Sequence, residues 1–193
     1  ALVENNHLLT KYVPELGGSS SLIICDDGDL DLGIKHILNG CFKNSGQRCT
    51  SIRRVIVDKK VITTFKDKLI KQVKEINYGD PFNANTDLGT VISENYAIEI
   101  QKRINNAIDL GANLLFGNER SGALLSPTVL ENVKLNMSLV KEETFGPVCP
   151  IIMAEDFDEA LDIAKSTEYR LAGGIITKDK FKAEKASNFL NVG

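Results

Sequence analysis

Apolar positions along this chain fall into short unbroken runs, separated by longer stretches in which they recur at helical spacing. Ser21 to Cys25 reads Ser-Leu-Ile-Ile-Cys, stops at Asp26-Asp27-Gly28, and has the form of a buried strand. Leu30, Ile34, Ile37, Leu38, Cys41 and Phe42 then predict a helix with one apolar face. Asn44-Ser45-Gly46 interrupts or ends it, which places Cys49 at a glycine-loosened point between elements. Val55-Ile56-Val57 predicts another strand, and Val61, Phe65, Leu69, Ile70, Val73 and Ile76 the next helix. Asn77 to Thr86 is turn chemistry, and a helix is expected from about Ser93 to Leu110 with Gly111 as its stop. Strands are expected at 114–116, 124–130 and 148–153, and helices at 156–167 and 178–190 around a strand at 171–177. Such alternation predicts an α/β fold with a mainly parallel sheet flanked by helices.

Composition narrows the function. A chain of 193 residues, 42% apolar and 25% charged, suits one domain with a sizeable core. Its net charge of −3, with no basic stripe, argues against nucleic acid and anionic membranes as partners and leaves a small substrate open. With no signal-peptide pattern and no long apolar run, a cytoplasmic protein is expected. Cys25, Cys41, Cys49 and Cys149 form no CxxC pair and read as free thiols. His7 and His36 stand far apart and near no cysteine pair, so no metal site is expected. The opening at Ala1 and the stop at Asn191-Val192-Gly193, in what reads as mid-element, suggest a fragment.

Two glycine-containing strings carry candidate chemistry. Glu15-Leu16-Gly17-Gly18 holds the one carboxylate between Tyr12 and Leu22, and Gly46-Gln47-Arg48-Cys49 places a thiol 34 positions after it. A free cysteine is ordinarily a small buried hydrophobe, and Cys25, Cys41 and Cys149 fit that description. Cys49 has polar neighbours instead, and Arg48 beside it could favour a thiolate if it faced the sulfur. An incidental surface glutamate is the commoner reading of Glu15. As a general base it would need reach to a water and a partly desolvated site. The third string, Lys141-Glu142-Glu143-Thr144-Phe145-Gly146-Pro147-Val148, is either a charged turn into a strand or a carboxylate and ring for a sugar hydroxyl and a heterocycle. The chain has no phosphate-binding GxGxxG loop.

Together the three strings resemble the signature elements of the aldehyde dehydrogenase superfamily, across essentially the whole chain. The resemblance implies that Cys49 attacks an aldehyde, that hydride leaves to the nicotinamide of NAD or NADP, and that Glu15 activates the water that hydrolyses the resulting thioester. It also implies that Glu143 holds the nicotinamide-side ribose, that Phe145 packs near the nicotinamide, and that the Leu16 backbone lies near the carboxamide. The Cys49 N–H would supply one oxyanion-hole donor. Residues 1–193 would then be the catalytic domain, without the N-terminal NAD-binding half and the C-terminal segment, of a parent that forms a homo-oligomer. Tyr78-Gly79-Asp80-Pro81, Leu88 to Ile92 and Gly122 to Val129 resemble phosphonoacetaldehyde dehydrogenases. Lactaldehyde and non-phosphorylating glyceraldehyde-3-phosphate dehydrogenases carry similar strings.

Alternatives remain at this point. A CoA-acylating relative would generally lack the base that Glu15 offers, and a non-catalytic binding or assembly remnant would have no need of the chemistry. The isolated 193-residue piece is expected to be inactive or nearly so. Arg170 stands where relatives usually carry glycine, in Tyr169-Arg170-Leu171, which raises the question of the loop's backbone there.

Overall fold

Alternate residues of the central strands enter two different cores. The computed structural model describes residues 13–192. In β1 (Ser20–Ile24), Leu22 and Ile24 join one apolar cluster while Ile23 joins the other. Strand β2 (Ile52–Asp58) divides in the same way, Val55 and Val57 against Ile56. A strand covered on both faces needs apolar residues at consecutive positions, which is why these segments read as unbroken runs.

Helices α1 (Leu30–Ile37) and α2 (Ile62–Val73) cover one face; α3 (Glu94–Asp109) packs on the other. Ser93 caps α3 by accepting from the Tyr96 N–H at 3.2 Å, and Gly111, at φ +99°, turns the chain after it. The expected helix limits at Ser93 and Gly111 therefore hold. The next strand, β3 (Asn113–Phe116), is the antiparallel edge of the sheet.

The strand expected over 124–130 is broken in two. Residues Arg120–Ser121 (β4) and Leu124–Leu125 (β5) form a small separate hairpin, and Thr128–Glu131 (β6) joins the main sheet. Pro127 lies at the break, with no N–H to continue a ladder. A short helix, α4 (Ser138–Lys141), precedes β7 (Val148–Ala154) and was not foreseen. Then come α5 (Phe157–Lys165), β8 (Gly173–Ile176) and α6 (Lys180–Phe189), with α5 and α6 on the α3 face. The sheet order is β3-β6-β7-β2-β1-β8, parallel throughout except at β3. The α/β fold with a mainly parallel sheet is confirmed.

The first helix also departs from its expected form. It closes as a π-helical turn over Leu38–Phe42 and a tight turn over Lys43–Gly46. Asn44, Ser45 and Gly46 are consecutively left-handed, at φ 57°, 53° and 68°. Two of these are not glycine, so the turn carries strain that its surroundings must hold. Among the described residues no helix is long and apolar enough to cross a membrane. His7 lies outside the described residues, as does Gly193 at the chain end.

Candidate active site

The candidate residues lie far apart in sequence, yet their loops all enter the sheet at one end. The Glu15–Gly18 segment leads into β1, the Gly46–Cys49 turn into β2, the Glu143–Pro147 turn into β7, and Tyr169–Leu171 into β8. These four strands are parallel neighbours in the order β7-β2-β1-β8, so their N-terminal ends lie side by side. That convergence is at the opposite end from the carboxyl-end crevice where open α/β sheets generally bind ligands.

Close backbone approach brings the loops together. Gly18 donates its N–H to Oε1 of Glu143 at 2.9 Å. A Cβ on Gly17 would stand 2.3 Å from Oε2 of Glu143, and one on Gly18 would stand 2.2 Å from the Cys49 carbonyl oxygen. The glycines after Glu15 therefore serve packing against the other two motifs. Oε2 of Glu143 has no hydrogen-bond partner among the described residues.

Cys49 sits in a turn, partly exposed, whereas Cys25, Cys41 and Cys149 are buried free thiols, as expected. Burial pushes the Cys25 thiol up to about 11, with the Lys182 ammonium only partly opposing it. Side-chain bonds from the turn hold the strained backbone before Cys49. Ser45 Oγ donates to the Gly89 carbonyl at 2.9 Å, and Gln47 Oε1 accepts from the Ile92 N–H at 2.8 Å. Arg48 donates its guanidinium to the Asn39 carbonyl, so it is engaged on the helix side of the turn.

Glu15 and Cys49 line one open cleft of about 1040 Å³, with Leu16, Gly17, Tyr169, Arg170 and Leu171 among its other walls. Glu15 is exposed, and Leu16 is 74% exposed. Leu171 packs toward Gly18, whose Cβ would lie 3.3 Å from its Cδ2. Arg170 is not among the residues with a left-handed backbone, so the arginine is accommodated without that strain.

Glu143 and Phe145 do not line this cleft; Glu143 reaches it through Gly17 and Gly18. Arg103 holds their loop from α3, donating to the Glu143 carbonyl at 2.9 Å and pairing with Glu142 at 2.9 Å. The Phe145 N–H donates to the Tyr96 hydroxyl at 3.1 Å. Phe145 is half-buried, with the Arg53 guanidinium carbon 5.4 Å from its ring centroid.

Sequence reasoning missed two buried arginines on β2. Arg53 and Arg54 are 3% and 2% exposed, and both are pushed down to about 10 by burial, which still leaves them charged at neutral pH. Arg54 donates to the Ser19 carbonyl at 2.9 Å and to those of Ile163 and Ala164 at 2.8 and 2.9 Å. It thereby ties the start of β1 to the carboxyl end of α5, where a cation meets the helix dipole favourably. No local pattern announces such a role; the only signal was an Arg-Arg pair inside an otherwise apolar strand.

A parallel α/β domain with an accessible thiol, a nearby carboxylate loop and a second acidic loop packed against both defines a class of thiol-bearing domains. The chain belongs to the aldehyde dehydrogenase family, whose model matches residues 2–193. It is 40% identical over 192 residues to the lactaldehyde dehydrogenase of Methanococcus vannielii, covering 100% of this chain and 41% of the relative. The glyceraldehyde-3-phosphate dehydrogenase GapN of Methanocaldococcus jannaschii, solved with NADP, superposes with a TM-score of 0.90 at 38% identity, over 93% of this chain and 39% of that one. The betaine aldehyde dehydrogenase of Staphylococcus aureus, solved with NAD+, gives 0.88 at 35% identity over 93% and 37%. The chain thus spans about two fifths of the length of the relatives it matches.

Proposed function

We propose that this chain is the catalytic domain of an NAD- or NADP-dependent aldehyde dehydrogenase, with Cys49 as nucleophile and Glu15 as general base. The observation that carries the reading is the shared cleft: an accessible thiol and an exposed carboxylate line one cavity, while the other three cysteines are buried. In this mechanism the Cys49 thiolate adds to the aldehyde carbon, and the Cys49 N–H steadies the oxyanion of the thiohemiacetal. The dinucleotide, when bound, supplies the hydride acceptor. Glu15 then takes a proton from water as that water attacks the thioester, and the carboxylic acid leaves.

The dinucleotide fits the residues present. Gly17 and Gly18 let the Glu15 loop lie directly against Glu143 and Cys49, Leu16 beside them is exposed, and Oε2 of Glu143 is available to a ribose hydroxyl. Glu143, Phe145 and Leu16 are the residues we assign to it. A cytoplasmic setting accords with four free thiols. We place the domain in a homo-oligomeric parent.

For the aldehyde, the strings around Tyr78, Leu88 and Gly122 favour phosphonoacetaldehyde, oxidised to phosphonoacetate. The likeness to a lactaldehyde dehydrogenase and to GapN makes lactaldehyde and glyceraldehyde 3-phosphate the alternatives. The test is NAD(P)H formation by the enzyme carrying this chain with each aldehyde in turn, and Cys49→Ser as control. Turnover lost in Cys49→Ser supports the reading and identifies the substrate. Silence with every aldehyde favours a non-catalytic remnant.

A further inference from the structure

Arg53 occupies a position that the assigned chemistry does not explain. Its side chain is buried and charged, and its hydrogen bonds all go to backbone carbonyls rather than to a carboxylate. Nη1 donates to the Gly146 carbonyl at 3.1 Å, while Nη2 donates to the Gly46 carbonyl and, at 3.4 Å, to that of Arg48. The same guanidinium stands over the Phe145 ring, 5.4 Å from its centroid. Gly46 is left-handed, and a Cβ there would lie 2.1 Å from the Gly146 oxygen, so the two turns touch backbone to backbone. Carbonyl oxygens pressed together repel unless a donor stands between them, and Arg53 supplies that donor.

We infer that Arg53 is a positioning residue that clips the Cys49 turn to the Phe145 turn, fixing the distance between the nucleophile and the nicotinamide-facing ring. The inference rests on the aldehyde dehydrogenase reading for the role of Phe145, and on geometry alone for the clip. A planar fork can reach carbonyls on two turns while its central carbon stands over an aromatic ring. A lysine ammonium is a point donor on a flexible stem and cannot do both. Strain in the left-handed run from Asn44 to Gly46 gives the Cys49 turn a tendency to relax, which the clip opposes.

The experiment is amide exchange on the enzyme that carries this chain for Arg53→Met and Arg53→Lys, with dinucleotide kinetics on the same variants. The clip predicts that exchange rises by about tenfold in peptides covering 44–51 and 143–147 together, while β1 and β7 keep their protection. Arg53→Lys, which keeps the charge and one donor, should give a smaller rise in both turns. In the enzyme, kcat should fall by about tenfold in Arg53→Met with KM for the dinucleotide changed by less than about threefold, and Arg53→Lys should recover part of it. Unchanged exchange in both turns, or a uniform rise across the sheet without excess in the turns, overturns the inference. So does loosening of both turns with kcat unmoved. An unsubstituted enzyme that oxidises no aldehyde would defeat the functional reading alone, because the exchange data still decide the clip.

Discussion

Gly18 donates its backbone N–H to Oε1 of Glu143 at 2.9 Å, joining positions 125 residues apart. This bond links the loop of the proposed base to the loop of the proposed ribose ligand, and Gly18 also lies against the Cys49 carbonyl. The two neighbouring glycines should therefore differ in tolerance. A Cβ on Gly17 meets the end of the Glu143 side chain, which can swing away; a Cβ on Gly18 meets Cys49 backbone, which cannot. Denaturant unfolding should show Gly18→Ala destabilised by about 3 kcal/mol and Gly17→Ala by about 1 kcal/mol or less.

Thiol accessibility gives a prediction independent of turnover. Cys25, Cys41 and Cys149 are 3%, 0% and 0% exposed, while Cys49 is partly open. Titration of the native chain with a thiol-specific chromogenic disulfide should show one fast-reacting group, absent in Cys49→Ser. All four cysteines should react after denaturation.

Arg54 should matter for stability more than for chemistry. Replacing it with methionine keeps most of the volume but leaves the buried carbonyls of Ser19 and Ala164 without their donor. A loss of about 2–4 kcal/mol is expected in the unfolding free energy. Arg54→Lys should recover only part of it, because one ammonium cannot reach carbonyls on both β1's entry and α5.

The far end of the sheet should make stability acid-sensitive. Hydrogen bonds from Lys182 and then Lys60 hold the Asp26 carboxyl well below the usual carboxylate range. A carboxylate lowered on folding contributes stability that is full above its unfolded value, about 4, and is lost as pH falls through its folded value. Lys182 is raised chiefly by its bond to Asp26, so its contribution is full at neutral pH and fades only in strong alkali. Melting midpoints of the native chain should thus fall more steeply below about pH 4 than those of Lys182→Met.

Most elements could be read from sequence because their signals are local. The α3 helix begins and ends at Ser93 and Gly111, where a hydroxyl cap and a left-handed glycine are decisive over a few residues. The break at Pro127 was equally local, yet the apolar run from Leu124 to Leu130 hid it. Arg53 and Arg54 were illegible for a different reason: Gly146, Ile163 and Ala164, which receive them, lie 93 to 110 residues away. The site residues were named through family resemblance, since no periodicity relates Glu15, Cys49 and Glu143. Their meeting follows from sheet topology, each motif preceding one of four adjacent parallel strands.

The most direct test of the central claim is to trap the acyl-enzyme. The enzyme carrying this chain, with Glu15→Gln to slow hydrolysis, is mixed with a substrate aldehyde and NAD or NADP, quenched in acid, digested and weighed by mass spectrometry. A thioester on Cys49 that accumulates in Glu15→Gln and is only transient in the unsubstituted enzyme is the predicted result. Turnover with no acyl group on Cys49, or with the acyl group on another residue, would contradict the account.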